Sequence, residues 1–161
     1  MRFMALLLLL TMVCSVLSLT PFHGHDLSRL TPVRLLLITP GEGGVTVSTE
    51  KRLSAWGRDL PTALSHLSAA ATGHLLLATA EKVVFSGTLP DLSALAAFGI
   101  RPATALYRME GTAEEPDALC AYLEQRRGAV TLGALQEDEN LPIPILSRGG
   151  AGLYLEEGAL P

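Results

Sequence analysis

The stretch from Asp59 to Glu110, DLPTALSHLSAAATGHLLLATAEKVVFSGTLPDLSALAAFGIRPATALYRME, decides the fold. Asp59 predicts the start of a helix, because its carboxylate can accept hydrogen bonds from the amides of the first turn. Two apolar, β-rich runs follow this helix, and Asp91 begins a second helix that leads to a predicted strand over residues 103–109. Helices that alternate with strands predict an α/β (α+β) fold, in which helices pack on a β-sheet.

Two further strands precede this stretch and make the predicted sheet a mixed one. Val33–Ile38 is a short apolar run typical of a buried strand, and Val45–Thr49 alternates between apolar and polar residues. The six residues between them are rich in glycine, so the pair predicts a β-hairpin. A phosphate-binding loop is excluded here, because no Lys follows the last glycine and a strand comes next. In total we predict about four to five strands and about three helices.

The third predicted helix has the clearest end signals. Thr112-Ala113-Glu114-Glu115 matches a capping box, and Arg126-Arg127 close the helix, which is the order of charges that the helix dipole favours. Cys120 lies on the flank of the helix with no His or Asn nearby to activate it, so we interpret it as a small helix residue. The predicted buried stripe of this third helix consists of Ala118, Leu119, Tyr122 and Leu123. After the helix, residues 130–135 predict a short strand or turn.

Residues 1–18 predict a signal peptide or an N-terminal membrane anchor. Arg2 precedes an apolar run over Ala5–Leu19, which is shorter than the roughly 20 residues that a membrane-spanning helix needs. Ser18 offers a small residue for cleavage, whereas the absence of an Ala-x-Ala site leaves an uncleaved anchor as an alternative. Lipidation of Cys14 is the third alternative, although Thr11-Met12-Val13 departs from the usual lipoprotein pattern.

The rest of the chain divides into a linker, a domain and a tail. Residues 19–32 predict an extended linker, and His23, His25 and Asp26 within it are too few and too loosely held for a metal site. Residues 33–135 form the predicted α/β domain. Residues 136–161 predict a weakly ordered tail rich in proline and glycine, because Pro142 and Pro144 argue against a central strand.

Composition narrows the function classes. The 12 basic and 16 acidic residues are interspersed and give a formal charge of −4, so we expect no nucleic acid among the partners. The sequence shows no catalytic, cofactor-binding or metal-binding motif, and we predict that the protein is not an enzyme. An active site would have to use His66, His74, Glu81 or Arg101, and each of these also fits an ordinary surface or strand-end position.

The order of the elements resembles the N-terminal domain of the Ger(x)C-type spore-germination lipoproteins, the C subunits of nutrient germinant receptors. The resemblance covers about Val33 to Gly128, and members of that family carry two further domains. The segments that resemble the family are, in chain order, the strands Val33–Ile38 and Val45–Thr49, the helix segment ALSHLS at residues 63–68, the strand end VVFSG at 83–87, the connector Arg101, and the helix entry GTA at 111–113.

The resemblance implies a stand-alone or truncated relative that is exported and acts without catalysis, by protein–protein contact. It implies a location at the outer face of the cytoplasmic (inner spore) membrane, with a lipid anchor on Cys14 in the lipidated alternative. The implied partners are the A- and B-type membrane subunits of a germinant receptor. No catalytic or cofactor-binding residue is implied.

Two other kinds of function stay open from the sequence alone. One is an exported small ligand-binding domain or enzyme of unknown substrate, which would need a pocket with converging polar groups. The other is a structural sporulation protein that belongs to no receptor.

Overall fold

The structure is a computed structural model that describes residues 30–111, 115–126, 130–150 and 152–156. Within these ranges the chain forms helices, strands and one short 3-10 turn at residues 77–79. The helices are α1 (Leu60–Ala70), α2 (Leu92–Ala97), α3 (Pro116–Glu124) and α4 (Leu132–Glu137). The strands are β1 (Leu30–Pro32), β2 (Leu35–Gly41), β3 (Gly44–Thr49), β4 (Ser54–Gly57), β5 (His74–Leu76), β6 (Lys82–Ser86), β7 (Ala105–Met109), β8 (Ile145–Gly149) and β9 (Gly152–Glu156).

A mixed sheet of seven strands, in the order β4-β3-β2-β6-β7-β8-β9, is the centre of the described structure. The four middle strands, β2, β6, β7 and β8, are parallel to one another. An antiparallel extension flanks them on each side, β3 and β4 on one and β9 on the other. The predicted α/β class with a mixed sheet is therefore confirmed, and the sheet has more strands than the sequence predicts.

Helices cover both faces of this sheet. On one face, α1, α2 and α4 pack against the sheet through residues such as Leu64, Leu95 and Leu135. On the opposite face, α3 packs through Leu119 and Leu123. We call these the α1 face and the α3 face. Residues 35–38 of β2 and 83–85 of β6 are buried on both sides, which explains why these two strands read as continuous apolar runs in the sequence.

The first hairpin is confirmed, with a tighter turn than predicted. β2 continues to Gly41 and β3 begins at Gly44, so Glu42 and Gly43 alone form the turn. Gly43 has a φ of +71°, a conformation that glycine adopts without steric cost. The six-residue connection predicted from the glycine content is therefore wrong, because Thr39, Pro40 and Gly41 pair with β3 instead.

The caps of the first two helices are confirmed. The carboxylate of Asp59 accepts a hydrogen bond from the amide of Thr62 at 2.8 Å, and Asp91 caps α2 in the same way. Just before α1, Gly57 lies against the first turn of the helix. A Cβ built on Gly57 would be 2.3 Å from the amide nitrogen of Ala63, so only glycine allows this approach of helix and strand.

The third helix begins later than the capping box predicts. Its N-cap is Glu115, whose side chain makes no capping hydrogen bond, and the first helical residue is Pro116. A box that begins at Thr112 would require Glu115 inside the helix, so that prediction is wrong; residues 112–114 themselves lie outside the described residues, as do Arg127 and Gly128. The buried stripe also differs from the prediction, since Cys120 belongs to it and Ala118 is exposed.

The predicted linker ends earlier than residue 32. Leu30–Pro32 forms β1, which pairs in parallel with β5 as a separate two-stranded sheet. The hydroxyl of Thr79 accepts a hydrogen bond from the amide of Val33 at 3.0 Å and ties the same region to the domain. The chain therefore enters the described domain at the amino ends of the parallel strands, and residues 19–29 lie outside the described residues.

The prediction of a weakly ordered tail after residue 135 is wrong for the part that the structure describes. Residues 132–137 form α4 rather than a strand or turn, and its N-cap Thr131 accepts a hydrogen bond from Ala134. β8 and β9 then extend the main sheet. Pro142 and Pro144 precede β8 instead of lying in it, so neither removes a hydrogen bond within that strand.

The edge of β7 that faces away from β6 is shared by two segments. In its first half, the amide of Leu106 donates to the carbonyl of Val130 at 3.0 Å. In its second half, the amide of Arg108 donates to the carbonyl of Pro144 at 3.0 Å, where β8 begins. Residues 132–144 must therefore cross from the first segment to the second, and they do so over the α1 face.

We expect Gly57→Ala to lower the free energy of unfolding by about 1–3 kcal/mol, because the added methyl group forces α1 away from β4. Urea unfolding followed by circular dichroism measures this. Gly41→Ala is the matched control, since the nearest atom to its Cβ would be 4.0 Å away. Equal stability of the two variants would contradict the close approach of helix and strand.

Candidate functional site

A groove opens at the carboxyl ends of the parallel strands, the edge where open α/β sheets usually bind ligands. Its volume is about 540 Å³. The floor consists of Phe85, Arg108 and Ile145, one wall is the loop at residues 87–89, and the other wall is the segment at residues 139–143. We call this the carboxyl-edge groove.

The floor belongs to a row of side chains that crosses the sheet on the α1 face. Strand pairing places Ile38, Phe85, Arg108, Ile145 and Glu156 side by side on five neighbouring strands. Ile38 and Phe85 are buried in the core beneath the helices. Arg108 is exposed, whereas Leu106 in the same strand is buried, so the cover of this face ends along β7 between these two residues. The groove is therefore the uncovered part of the α1 face.

Arg108 is the cation of the groove. Its guanidinium forms no ion pair or hydrogen bond with any residue in the described ranges. Glu139, on the far wall, is exposed and does not pair with it. The rest of the described lining is mostly apolar, and Leu89 at the rim keeps 40% of its surface exposed. The groove thus combines a mostly apolar lining with a positive charge that has no partner among the described residues.

The loop at residues 87–91 separates the groove from two smaller hollows. One, of about 410 Å³, lies toward the end of α4 at Gln136. The other, of about 220 Å³, lies toward Leu60 at the start of α1. Gly87 begins the loop with a φ of +82°. Asp91 ends it, where its carboxylate accepts hydrogen bonds from the hydroxyl of Ser93 at 2.6 Å and the amide of Ser93 at 2.9 Å.

The four polar residues singled out from the sequence are not brought together. His66 lies on α1, His74 in β5, Glu81 just before β6, and Arg101 between α2 and β7. None of them lines the groove or its two neighbouring hollows. The sequence therefore did not identify the residues that form the groove.

His66 instead caps an edge of the sheet. Its Nδ1 donates a hydrogen bond to the carbonyl oxygen of Trp56 in β4, which is 2.8 Å away. An edge strand exposes carbonyl and amide groups that can pair with another chain, and such a contact occupies one of them. The side chain of Trp56 is 49% exposed and lies over Gly44.

Two groups with reactive chemistry, one on α3 and one on β7, are buried where α3 packs on the sheet. Burial raises the pKa of the Cys120 thiol, so the neutral thiol packs with Leu119 and Leu123. The hydroxyl of Tyr107 is buried without a hydrogen-bond partner in the described structure, and burial raises its pKa. Neither lines the groove or the two hollows beside it.

Several predictions from the sequence fall outside the described residues. The lipidation residue Cys14 and the trio His23, His25 and Asp26 are among them. Where the structure does describe the chain, it contains no group of three His, Cys, Asp or Glu residues that could hold a metal ion. No helix in those ranges is long and apolar enough to cross a membrane.

Sequence reasoning missed Arg108, although a signal was present. In the apolar run ALYRM, Leu106 and Arg108 are two residues apart and so point to the same face of a strand. Alternation predicts a buried residue at position 108. A charged residue there indicates that the helices do not cover this part of the sheet. Glu139 carried no such signal, because its position depends on how residues 132–144 cross the sheet.

We expect the carboxyl of Asp91 to titrate below the value of about 3.9 that an unfolded Asp shows, because the hydrogen bonds from Ser93 lower its pKa. Since the folded pKa is the lower one, this contribution to stability is complete above the unfolded pKa and is lost as the pH falls through the folded pKa. An NMR titration of the side-chain carboxyl carbon measures the value.

Asp91→Asn should lower stability at neutral pH and remove this part of the acid dependence, measured by urea unfolding at several pH values. Glu42→Gln, in the exposed turn between β2 and β3, is the control. An Asp91→Asn variant with the acid dependence of the parent would show that the cap contributes nothing to it.

Comparison of the chain with models of known protein families, with curated proteins and with solved structures finds no match. The functional interpretation therefore depends on the residues of the groove and on the sequence resemblance described above.

Proposed function

We propose that the chain is a non-enzymatic, exported or membrane-associated protein that acts by protein–protein contact in an assembly like a spore germinant receptor. The observation that carries this proposal is the ordered set of segments between Val33 and Gly128 that resemble the first domain of Ger(x)C-type lipoproteins. The hairpin, the helix at residues 60–70, the strand at residues 82–86 and the following helix occur in the structure in the order that the resemblance uses.

The carboxyl-edge groove is the surface that we assign to the contact. Its described lining is mostly apolar and its rim residue Leu89 keeps 40% of its surface exposed, so a partner that covers the groove removes apolar surface from water. A charged residue such as Arg108 on the floor of a mostly apolar site favours one partner over others. In this proposal the partners are A- and B-type membrane subunits of the receptor.

The path of the chain supports this assignment. Leu30 enters the domain beside His74, at the amino ends of the parallel strands. The groove lies at their carboxyl ends, and the seven residues of β2 span about 20 Å between the two edges. An anchor ahead of residue 30, whether an uncleaved leader or a lipid on Cys14, would therefore be attached at the edge opposite the groove.

The groove also favours a second candidate, an exported ligand-binding domain. Its volume of about 540 Å³ falls in the range of roughly 300–1,000 Å³ that is common for small-molecule sites. A small ligand that protects the protein from thermal unfolding in the absence of any receptor subunit would favour this candidate over protein–protein contact.

We expect an affinity-tagged chain, expressed at its natural level, to co-purify with A- and B-type germinant receptor subunits from detergent extracts of spore membranes. Mass spectrometry identifies the captured proteins, and an unrelated exported protein with the same tag is the control. Deletion of the gene should also slow nutrient-induced germination, measured as loss of optical density. Normal germination together with capture of no receptor subunit would overturn the proposal.

The anchor is tested separately through Cys14. If Cys14 is lipidated, the chain should incorporate labelled palmitate and Cys14→Ser should abolish the label and change its gel mobility. Globomycin should block processing of the parent chain. Cys120→Ser is the matched control, because this residue is buried in the domain. A Cys14→Ser chain with unchanged mobility and no palmitate in the parent would leave only a cleaved or uncleaved leader.

A further inference from the structure

The carboxyl-edge groove presents a cation, Arg108, among mostly apolar side chains. Arg108 stands on its floor between Phe85 and Ile145, in a row whose corresponding positions in β2 and β6 are buried apolar residues. No ion pair or hydrogen bond joins its guanidinium to the part of the chain that the structure describes. A guanidinium in such surroundings binds a carboxylate most strongly, because its fork of N–H groups matches the two oxygens.

We propose that the groove binds an extended apolar segment of a partner protein, and that a carboxylate on this segment pairs with Arg108. The inference rests on the proposed function of protein–protein contact and adds the chemistry of the partner. The apolar residues of the segment cover the half-buried Ile145 and the exposed Leu89, and its acidic residue neutralises Arg108, the cation among the described residues that line the groove.

Recognition in the groove depends on side chains rather than on strand addition. Both edges of β7 are already paired, since it bonds β6 on one side and the two segments at Val130 and Pro144 on the other. Pro142 in the far wall has no N–H to donate, and neither has Pro144 just after it. A bound segment therefore finds few free backbone partners there, and the guanidinium of Arg108 is the strongest polar group that it meets.

Glu139 gives the groove a direction. It lines the far wall, and its carboxylate repels an acidic side chain that approaches from that side. The acidic side chain of the segment is therefore favoured at Arg108, away from Glu139. A basic or amide group of the segment is favoured next to Glu139. A segment with the opposite arrangement of charges meets two like-charge contacts, which disfavour it.

Replacement of Arg108 by leucine distinguishes a role in binding from a role in stability. Its neighbours across the strands are Phe85 and Ile145, so leucine at this position would add an apolar contact to the row. We expect Arg108→Leu to leave the melting temperature of the free protein unchanged or to raise it, while binding of the segment is lost. A residue kept for stability would show the reverse.

The experiment selects peptides from a random decapeptide phage library on the full 161-residue chain. Enriched peptides are then synthesised with a fluorescent label, and their affinities are measured by fluorescence polarisation. We expect enriched sequences to be apolar with one Asp or Glu. Arg108→Glu should weaken their binding about tenfold or more, and Lys51→Glu, an equal charge change in the turn at the opposite edge of the sheet, should not.

A charge exchange completes the test. A peptide whose acidic residue is replaced by Lys should bind the parent poorly and recover affinity for Arg108→Glu. The proposal is overturned if no peptide is enriched, if enriched peptides lack an acidic residue, or if Arg108→Glu binds them as the parent does. It is also overturned if a small carboxylate such as hexanoate, and no peptide, raises the melting temperature in a way that depends on Arg108.

The two proposals fail in different experiments. Peptide binding that depends on Arg108, without capture of receptor subunits from spore membranes, would remove the germinant-receptor assignment and leave the groove as a peptide site. Capture of receptor subunits that persists in Arg108→Glu would leave the assignment and remove the groove as the contact.

Discussion

The edge of β7 that faces away from β6 pairs with two separate segments, and this pairing determines most of the architecture around the groove. Because Val130 occupies the first half of that edge, β8 can pair only with the second half, at Arg108 and Met109. The chain between them has to travel the length of β7, and α4 with the residues after it covers this distance on the α1 face. The far wall of the groove is a direct result of this route, which stops short of covering Arg108.

Arg108 is a charged, exposed residue at a position where the sequence pattern predicts a buried apolar one. Its place in β7 is one that alternation gives to the core, and its neighbours across the sheet are apolar. Sequences usually agree with their structures at every level, and departures from this agreement concentrate at functional sites. The buried hydroxyl of Tyr107, on the opposite face, is a departure of another kind, because no cavity described above opens onto it.

The parts of the fold that depend on local signals could be predicted from the sequence. The hairpin and the helix starts at Asp59 and Asp91 follow from turn and capping chemistry that acts within a few residues. β8 and β9 could not be predicted, because a short apolar run becomes a strand only when a partner strand such as β7 is in place. The groove could not be predicted either, because its walls come from segments about fifty residues apart in the sequence.

The separation between the chain entry and the groove has a consequence for affinity in the anchored form that we propose. In that form, the chain ahead of Leu30 joins the anchor to the edge at the amino ends of the parallel strands. Attachment of this kind confines the groove to the neighbourhood of the membrane, where an effective concentration on the order of millimolar applies to any partner in the same membrane. A contact that is weak between free molecules would then be occupied most of the time. In that case Arg108 would contribute more to the choice of partner than to the strength of binding.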